Sequence, residues 1–236
     1  MTARKVLFSV AEPQEADGGA TVTLDGRPLT TPSRSPFVVP TDSLAAAIAQ
    51  EWQAQKDEIR PETMPLTRLA NSAIDKIPAQ FGETVTELAS YAQTDMTCFR
   101  ADSPQGLIDR QTASWDPALD WLKSAHGIRL IPTVGIAPVP QPQEGLDAFT
   151  SWLADQTPFA LMGLHELIGL SGSIVLARAV AEGAMSPQEA WQASILEEMW
   201  NVEVWGEDEQ AAQDRAAKQS AFEAGHKFFQ LQTRSV

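Results

Sequence analysis

Leu-Ala-Ala-Ala-Ile-Ala-Gln-Glu-Trp-Gln-Ala-Gln at residues 44–55, followed by Pro-Leu-Thr-Arg-Leu-Ala-Asn-Ser-Ala-Ile-Asp at 65–75, decides the class of fold. Leu44, Ile48, Trp52, Gln55 and Ile59 recur at helical steps, and Leu66, Leu69, Ala70, Ala73, Ile74 and Ile77 hold one face of a second helix. Pro65 fits the first turn of that helix, where a missing N–H costs nothing. Its opposite face collects Thr67, Arg68, Asn71, Ser72 and Asp75, which are either wet or functional. Trp52, on the first stripe, reads as a packing residue whose truncation costs roughly 3–5 kcal/mol if buried.

Upstream, the period changes. Strand signals run over Lys5–Val10, Ala20–Leu24 and Phe37–Val39, broken by Asp17-Gly18-Gly19, Asp25-Gly26 and the prolines at 28, 32, 36 and 40. Downstream of Thr41 the pattern is helical almost throughout, with Phe81, Val85, Leu88 and Ala92 on one stripe and Leu119 and Leu122 on another. The class is α+β: a small β-rich N-terminal unit, residues 1–40, followed by a larger all-helical domain, residues 41–236.

Asp116 before Pro117 predicts a helix start, with Trp115 outside and Trp121 inside. An extended piece, Arg129–Val134, leads into a stiff connector, Pro138-Val139-Pro140-Gln141-Pro142. Helices are expected over Phe149–Leu153, Leu161–Leu170 and Ile174–Val180, with a bend marked by Gly169 and Gly172 and a stop at Gly183. Ser186-Pro187-Gln188-Glu189 is a capping-box start for a helix carrying Ala190, Trp191, Ile195 and Met199. A last helix follows Gly206, with Ala212, Ala216, Phe222 and Phe229 as its buried positions. No internal repeat is present.

With 236 residues and 43% hydrophobic content the chain can bury a sizeable core. Pro158–Val180 is the most apolar stretch, but His165, Glu166 and Arg178 interrupt it, so it reads as a core helix pair and not a membrane span. The start of the chain fits neither a secretory signal nor a transit peptide, which places the expected location in a bacterial cytoplasm, or in the mitochondrial matrix if the chain is a processed form. The single cysteine, Cys98, excludes an internal disulfide or a cysteine zinc cluster and reads as a small buried hydrophobe. A net charge of −14 argues against nucleic acid, whose phosphates need clustered Lys and Arg; it suits either simple solvation or a partner with basic groups, and charge alone favours the former.

Motifs for chemistry are sparse. His165-Glu166 lacks the second histidine of a zinc-protease helix, because position 169 is Gly, and His126 and His226 stand apart. The run 169–173 does not have nucleophile-elbow spacing, and no phosphate-binding glycine loop occurs. Carboxylates concentrate beside Trp200 and Trp205: Glu197, Glu198 and Glu203, then Glu207, Asp208 and Glu209. Acids there complement the dipole of the helix that starts after Gly206. The same acids, Glu197, Glu207 and Glu209, also admit a helical hydrolase or a protein that binds a small cation beside Trp205.

Five ordered blocks resemble the ATP12 family, assembly chaperones for the F1 part of ATP synthase. They are Glu51-Trp52-Gln53-Ala54-Gln55; Met64-Pro65-Leu66-Thr67-Arg68-Leu69-Ala70-Asn71 with Ala73 and Asp75; Tyr91-Ala92-Gln93-Thr94-Asp95 with Cys98 and Arg100; Trp115-Asp116-Pro117 with Trp121; and Leu196-Glu197-Glu198 running into Trp205-Gly206-Glu207-Asp208-Glu209. They span roughly residues 4 to 231, and five blocks in order are more specific than any one. The resemblance implies a non-enzymatic chaperone without cofactor or metal, a monomer when free, that binds the unassembled F1 α subunit and masks its β-facing surface. It also implies an important acid after Trp-Gly, best matched by Glu209, with Glu207 and Asp208 as adjacent alternatives. The expected contact set is Glu209, Asp208, Glu207, Trp205 and Glu197.

Overall fold

The computed structural model describes residues 4–233. A small N-terminal sheet region precedes a mostly helical remainder, the α+β arrangement. The chain gathers into two compact units. One comprises the described residues up to Phe81, Gln156–Gly163 and those from Lys227; the other comprises Gly82–Asp155 and Leu164–His226.

In the first unit, β1 (Arg4–Lys5) pairs antiparallel with β5 (Glu58–Ile59), and β2 (Ala11–Ala16), β3 (Gly19–Leu24) and β4 (Arg27–Pro28) form an antiparallel meander. Two-residue turns connect the meander, Asp17-Gly18 and Asp25-Gly26. Asp25 and Gly26 both have positive φ, 49° and 78°, the geometry that matches the twist of the flanking strands. Only Lys5 of the expected strand Lys5–Val10 is paired as one. The ladder strand is Ala11–Ala16, which sequence did not mark because it contains Pro13 and four of its six residues are exposed, leaving no alternating apolar signal. Phe37 and Val39 are buried, but their segment joins by a single bridge, Ala20 to Val39. Gly19 is needed there, since a Cβ would lie 2.2 Å from the Val39 carbonyl oxygen.

Helix α1 (Asp42–Gln53) packs Leu44, Ala45, Ile48 and Ala49 against β2 and β3. Thr41 caps it, accepting from the Leu44 amide and donating its hydroxyl to the Leu231 carbonyl. The helix ends at Gln53, so Gln55 and Ile59 leave the helical stripe, and Ile59 lies in β5. Trp52 is half-buried, its ring edge-on to Phe8 at 6.0 Å.

The join between α1 and α2 (Pro65–Asp75) explains the first two sequence blocks. The Glu51 carboxylate accepts from the Leu66 amide at 2.7 Å and from the Thr67 amide and hydroxyl at 2.8 and 2.7 Å. It supplies from outside the helix the cap that Met64 lacks and places a negative charge on the positive helix end. Thr67 is therefore buried and not wet. At the far end Asp75 accepts from the Thr31 hydroxyl (2.7 Å) and the Ser33 amide (3.2 Å). Desolvation pushes its carboxyl up, but these bonds outweigh it and hold the group below the usual carboxylate range. The first turn of α3 (Ile77–Ser90), the start of α6 (Pro158–Ser171) and the end of α10 (Glu209–Leu231) complete this unit. Gly163 lies so close to Phe229 that a Cβ would come within 2.9 Å of it.

In the second unit, α7 (Ile174–Ala181) is the centre, with Ile174 to Val180 all buried. Asp95, fully buried, sits at its N-terminus and accepts from the Ser173 hydroxyl (2.9 Å), the Val175 amide (3.1 Å) and the Thr97 amide and hydroxyl (3.0 and 2.7 Å). Burial pushes this carboxyl up while the hydrogen bonds pull against it. Gly172, at φ 69°, makes the break between α6 and α7, and Gly169 lies within α6.

Helix α4 (Gln105–His126) corrects the expected start at Asp116: it runs through Pro117 without interruption, with Trp115 inside it. Pro117 and Ala113, whose carbonyl loses its helical partner, are both exposed, so the lost bond falls where a polar group costs least. Asp116 does not cap; its carboxylate pairs with Arg100 at 2.6 Å, and the Arg100 guanidinium lies 5.2 Å from the centre of the Trp115 ring. A short parallel pair, β6 (Phe99–Arg100) with β7 (Thr133–Val134), follows from this anchoring. The proline-rich connector is pinned to it through Gln141, which exchanges bonds with the Ile131 amide and carbonyl at 2.7 and 3.0 Å. Helix α5 (Gln143–Ala154) then buries Phe149 and Leu153.

The buried Cys98 thiol, pushed up to about 12 first by desolvation and then by Asp95, is an inert packing group, as its sequence context predicts. Among the described residues no helix is long and apolar enough to cross a membrane. In α10, Phe222 is buried, but Ala212 and Phe229 are half-buried, Ala216 is exposed, and the fully buried neighbour is Phe228.

Candidate partner-binding surface

The capping box forms as its sequence predicts: the Ser186 hydroxyl accepts from the Glu189 amide (3.2 Å), and Glu189 accepts from the Ser186 amide (2.9 Å). The single helix expected after it is two, α8 (Pro187–Ser194) and α9 (Leu196–Trp205), parted at Ile195. No glycine or proline marks this break. Its cause is tertiary: the Trp115 indole donates to the Ala193 carbonyl at 2.9 Å, occupying an acceptor that an unbroken helix would use for itself.

Helix α9 has no fully buried residue. It is held by polar contacts along its length. Glu197 accepts from Gln111 Nε2 at 2.5 Å, and the fully buried Gln111 accepts in turn from the Ala101 amide at 2.9 Å. Glu203 pairs with Arg110 at 2.8 Å, and that guanidinium stacks over Trp200 at 4.8 Å. The Arg110 hydrogen bond holds the Glu203 carboxyl below its usual range, the opposite of what a general acid needs. Arg215, nearly covered, bridges Glu198 (2.7 Å) and Glu207.

Beyond this frame the chain turns at Gly206, whose φ of 91° is the left-handed region that favours glycine. Asp208 then caps α10, its carboxylate accepting from the Ala211 amide at 2.8 Å, and Glu209 is the first helical residue. The expected contact residues therefore separate by role. Glu197, Glu207 and Asp208 are engaged by Gln111, Arg215 and the Ala211 amide respectively. Among the described residues Glu209 has only a 3.4 Å hydrogen bond from Gln213 and no cation. Trp205 is 84% exposed, and beside it Val204, which the sequence reading did not single out, is 52% exposed. Two exposed apolar side chains thus precede, across the Gly206 turn, a carboxylate that no cation engages among the described residues. Among the described residues no group of three His, Cys, Asp or Glu side chains is placed to hold a metal ion.

A family model described as ATP12 chaperone protein matches residues 6–123. The crystal structure of Atp12 from Paracoccus denitrificans has a TM-score of 0.93 against this chain at 38% identity, covering 98% of this chain and 99% of that one. An aspartate-to-lysine mutant of the P. denitrificans protein gives the same score and identity over 98% of both chains. A mitochondrial atp12 protein of Schizosaccharomyces pombe is 25% identical over 209 residues, 83% of this chain and 71% of that protein. By matched sequence, shared fold and the five blocks together, the chain belongs to the ATP12 family of ATP synthase assembly chaperones.

Proposed function

We infer that this chaperone binds the unassembled F1 α subunit and masks the surface that the β subunit later occupies, with the turn from α9 to α10 as part of the contact. The observation that carries this reading is the exposed Val204-Trp205 pair, followed across the Gly206 turn by Glu209, which no cation engages among the described residues. A tryptophan in water is a ready binding anchor; burying its exposed surface on a partner is worth about 4 kcal/mol before ordering costs. Glu209 and its acidic neighbours steer a basic partner and set register, while the apolar pair supplies affinity. Glu197, Glu207 and Asp208 join the contact set as the residues that hold this surface in shape.

The mechanism is competition without catalysis or cofactor. An isolated F1 subunit exposes an apolar interface that invites aggregation, and a folded partner that covers it stabilises the free subunit by mass action until β displaces it. The free chaperone is a monomer in this reading, working in a bacterial cytoplasm, or in a mitochondrial matrix if the chain is processed.

Co-expression with the F1 α subunit, followed by size-exclusion chromatography and addition of β, tests it. A soluble complex that β dissolves is the expected result. Insoluble α with no complex at any salt concentration would remove α as the client.

A further inference from the structure

The first unit holds a groove of about 600 Å³ between the segment 5–8 and the hairpin 24–30, and none of the carboxylates around the α9–α10 turn lines it. Its walls are Phe8, Leu24, Leu29, Trp52 and Ile59, and Leu7 stands at its rim 87% exposed. The segment over it is a strap fixed at both ends. Val6 donates to the Asp57 carbonyl at 3.1 Å, and Ser9 and Val10 donate to the Asp25 carboxylate at 2.9–3.1 Å. Between these anchors the Leu7 and Phe8 amides have no partner among the described residues. The Trp52 indole N–H is buried without an acceptor among the described residues.

The charges here are unlike those of the chain as a whole. On a protein of net charge −14, the groove carries Lys5 and Arg27, neither of which makes an ion pair among the described residues. Its one acid, Asp25, is occupied by the strap amides, and Glu58, opposite Lys5 in the β1–β5 ladder, does not line it. Free backbone amides, a buried donor lacking an acceptor, apolar walls and unpaired cations select one kind of occupant. We propose that this groove docks an extended peptide segment of a partner protein in which an apolar residue is flanked by Asp or Glu. The peptide backbone accepts from the strap amides, its apolar side chain lies beside Leu7 and Trp52, and its carboxylates meet Arg27 and Lys5. This site is independent of the acidic surface around Trp205, since it takes ligands of the opposite charge.

The test uses fluorescence polarisation of a fluorescein-labelled Glu-Leu-Phe-Glu-Leu peptide with the full chain, against the charge-reversed Lys-Leu-Phe-Lys-Leu peptide. The acidic peptide is expected to bind and the basic one to bind about tenfold more weakly. Arg27→Glu should weaken the acidic peptide about tenfold, as should Leu7→Asp, while Glu209→Lys leaves it within about twofold. The Arg27 side chain makes no hydrogen bond or ion pair among the described residues, its part in β4 being through the backbone, and circular dichroism verifies folding; Lys5→Glu replaces it if that variant unfolds. Absence of binding, equal binding of the two peptides, or an Arg27→Glu variant that binds unchanged would each overturn the proposal. Octanoate competing as strongly as the peptide would also overturn it, by showing a site for small acids.

Discussion

The Glu51–α2 join and the α9–α10 turn are both built on acids at a helix start, yet they end in opposite states. At the first, one carboxylate takes three hydrogen bonds from Leu66 and Thr67, and the helix behind it buries Leu66, Thr67, Leu69, Ala70 and Ala73. At the second, Asp208 satisfies the helix end, Glu207 goes to Arg215, and Glu209 and Trp205 are left facing water. A run of sequence that marks a family can therefore do internal work or external work. Hydrogen-bond partners and burial, not residue type, tell the two apart.

The contrast breaks most readily at the internal capping sites. Asp95 holds the N-terminus of the buried helix α7, and removing it leaves several buried donors unpaired. Asp95→Ala should lower stability by about 3 kcal/mol or more, read as a shift in the denaturant midpoint at constant slope. A midpoint within about 0.5 kcal/mol of the parent would mean that water replaces the carboxylate and the site is not an internal cap.

At the outer surface the effect should fall on binding. Trp205→Ala is expected to leave the melting temperature essentially unchanged and to weaken capture of the F1 α subunit by about 2 kcal/mol, roughly thirtyfold. Loss of stability with unchanged capture would place Trp205 with the internal group. Smaller again is Glu51→Ala, which removes the external cap of α2 and should cost about 1–2 kcal/mol of stability without a specific binding defect. Glu209→Lys sharpens the outer site further. It should slow association and reverse its salt dependence more than it changes the dissociation rate, as a steering charge does.

The smallest effect is a pH dependence. The folded Asp75 carboxyl lies below its ordinary value of 3.8, so its contribution to stability is present above that pH and is lost as pH falls through the folded value. Asp75→Asn should be less stable than the parent at neutral pH, and the gap should close on acidification below about pH 4. Parallel curves across that range would show that the carboxylate charge is irrelevant to the Thr31 and Ser33 contacts.

Local physics made much of the fold legible in the sequence. The helical periods of α1 and α2, the Asp25-Gly26 turn, the Ser186 capping box and the segregation of strands before helices all arise from interactions within a few residues. What was illegible arises at long range. Trp115 parts α8 from α9 by taking the Ala193 carbonyl; Arg100 draws Asp116 away from capping, so α4 runs through Pro117; and β2 is a strand through its pairing with β3, not its own pattern. At the candidate surface, sequence named Trp205 and the acids, and the family resemblance favoured Glu209, but no local signal separated it physically from Glu207 and Asp208. That distinction rests on Arg215, eight residues beyond Glu207, and on the α10 cap. Val204 was missed because an apolar residue next to tryptophan reads as core.

Hydrogen–deuterium exchange of the chaperone, free and saturated with the F1 α subunit, tests the central claim most directly. If the α9–α10 turn meets the client, new protection appears over residues 200–213 with little change in α2, whose amides are already held by Glu51 and the core. Protection confined to α2, with 200–213 exchanging as in the free protein, would contradict it.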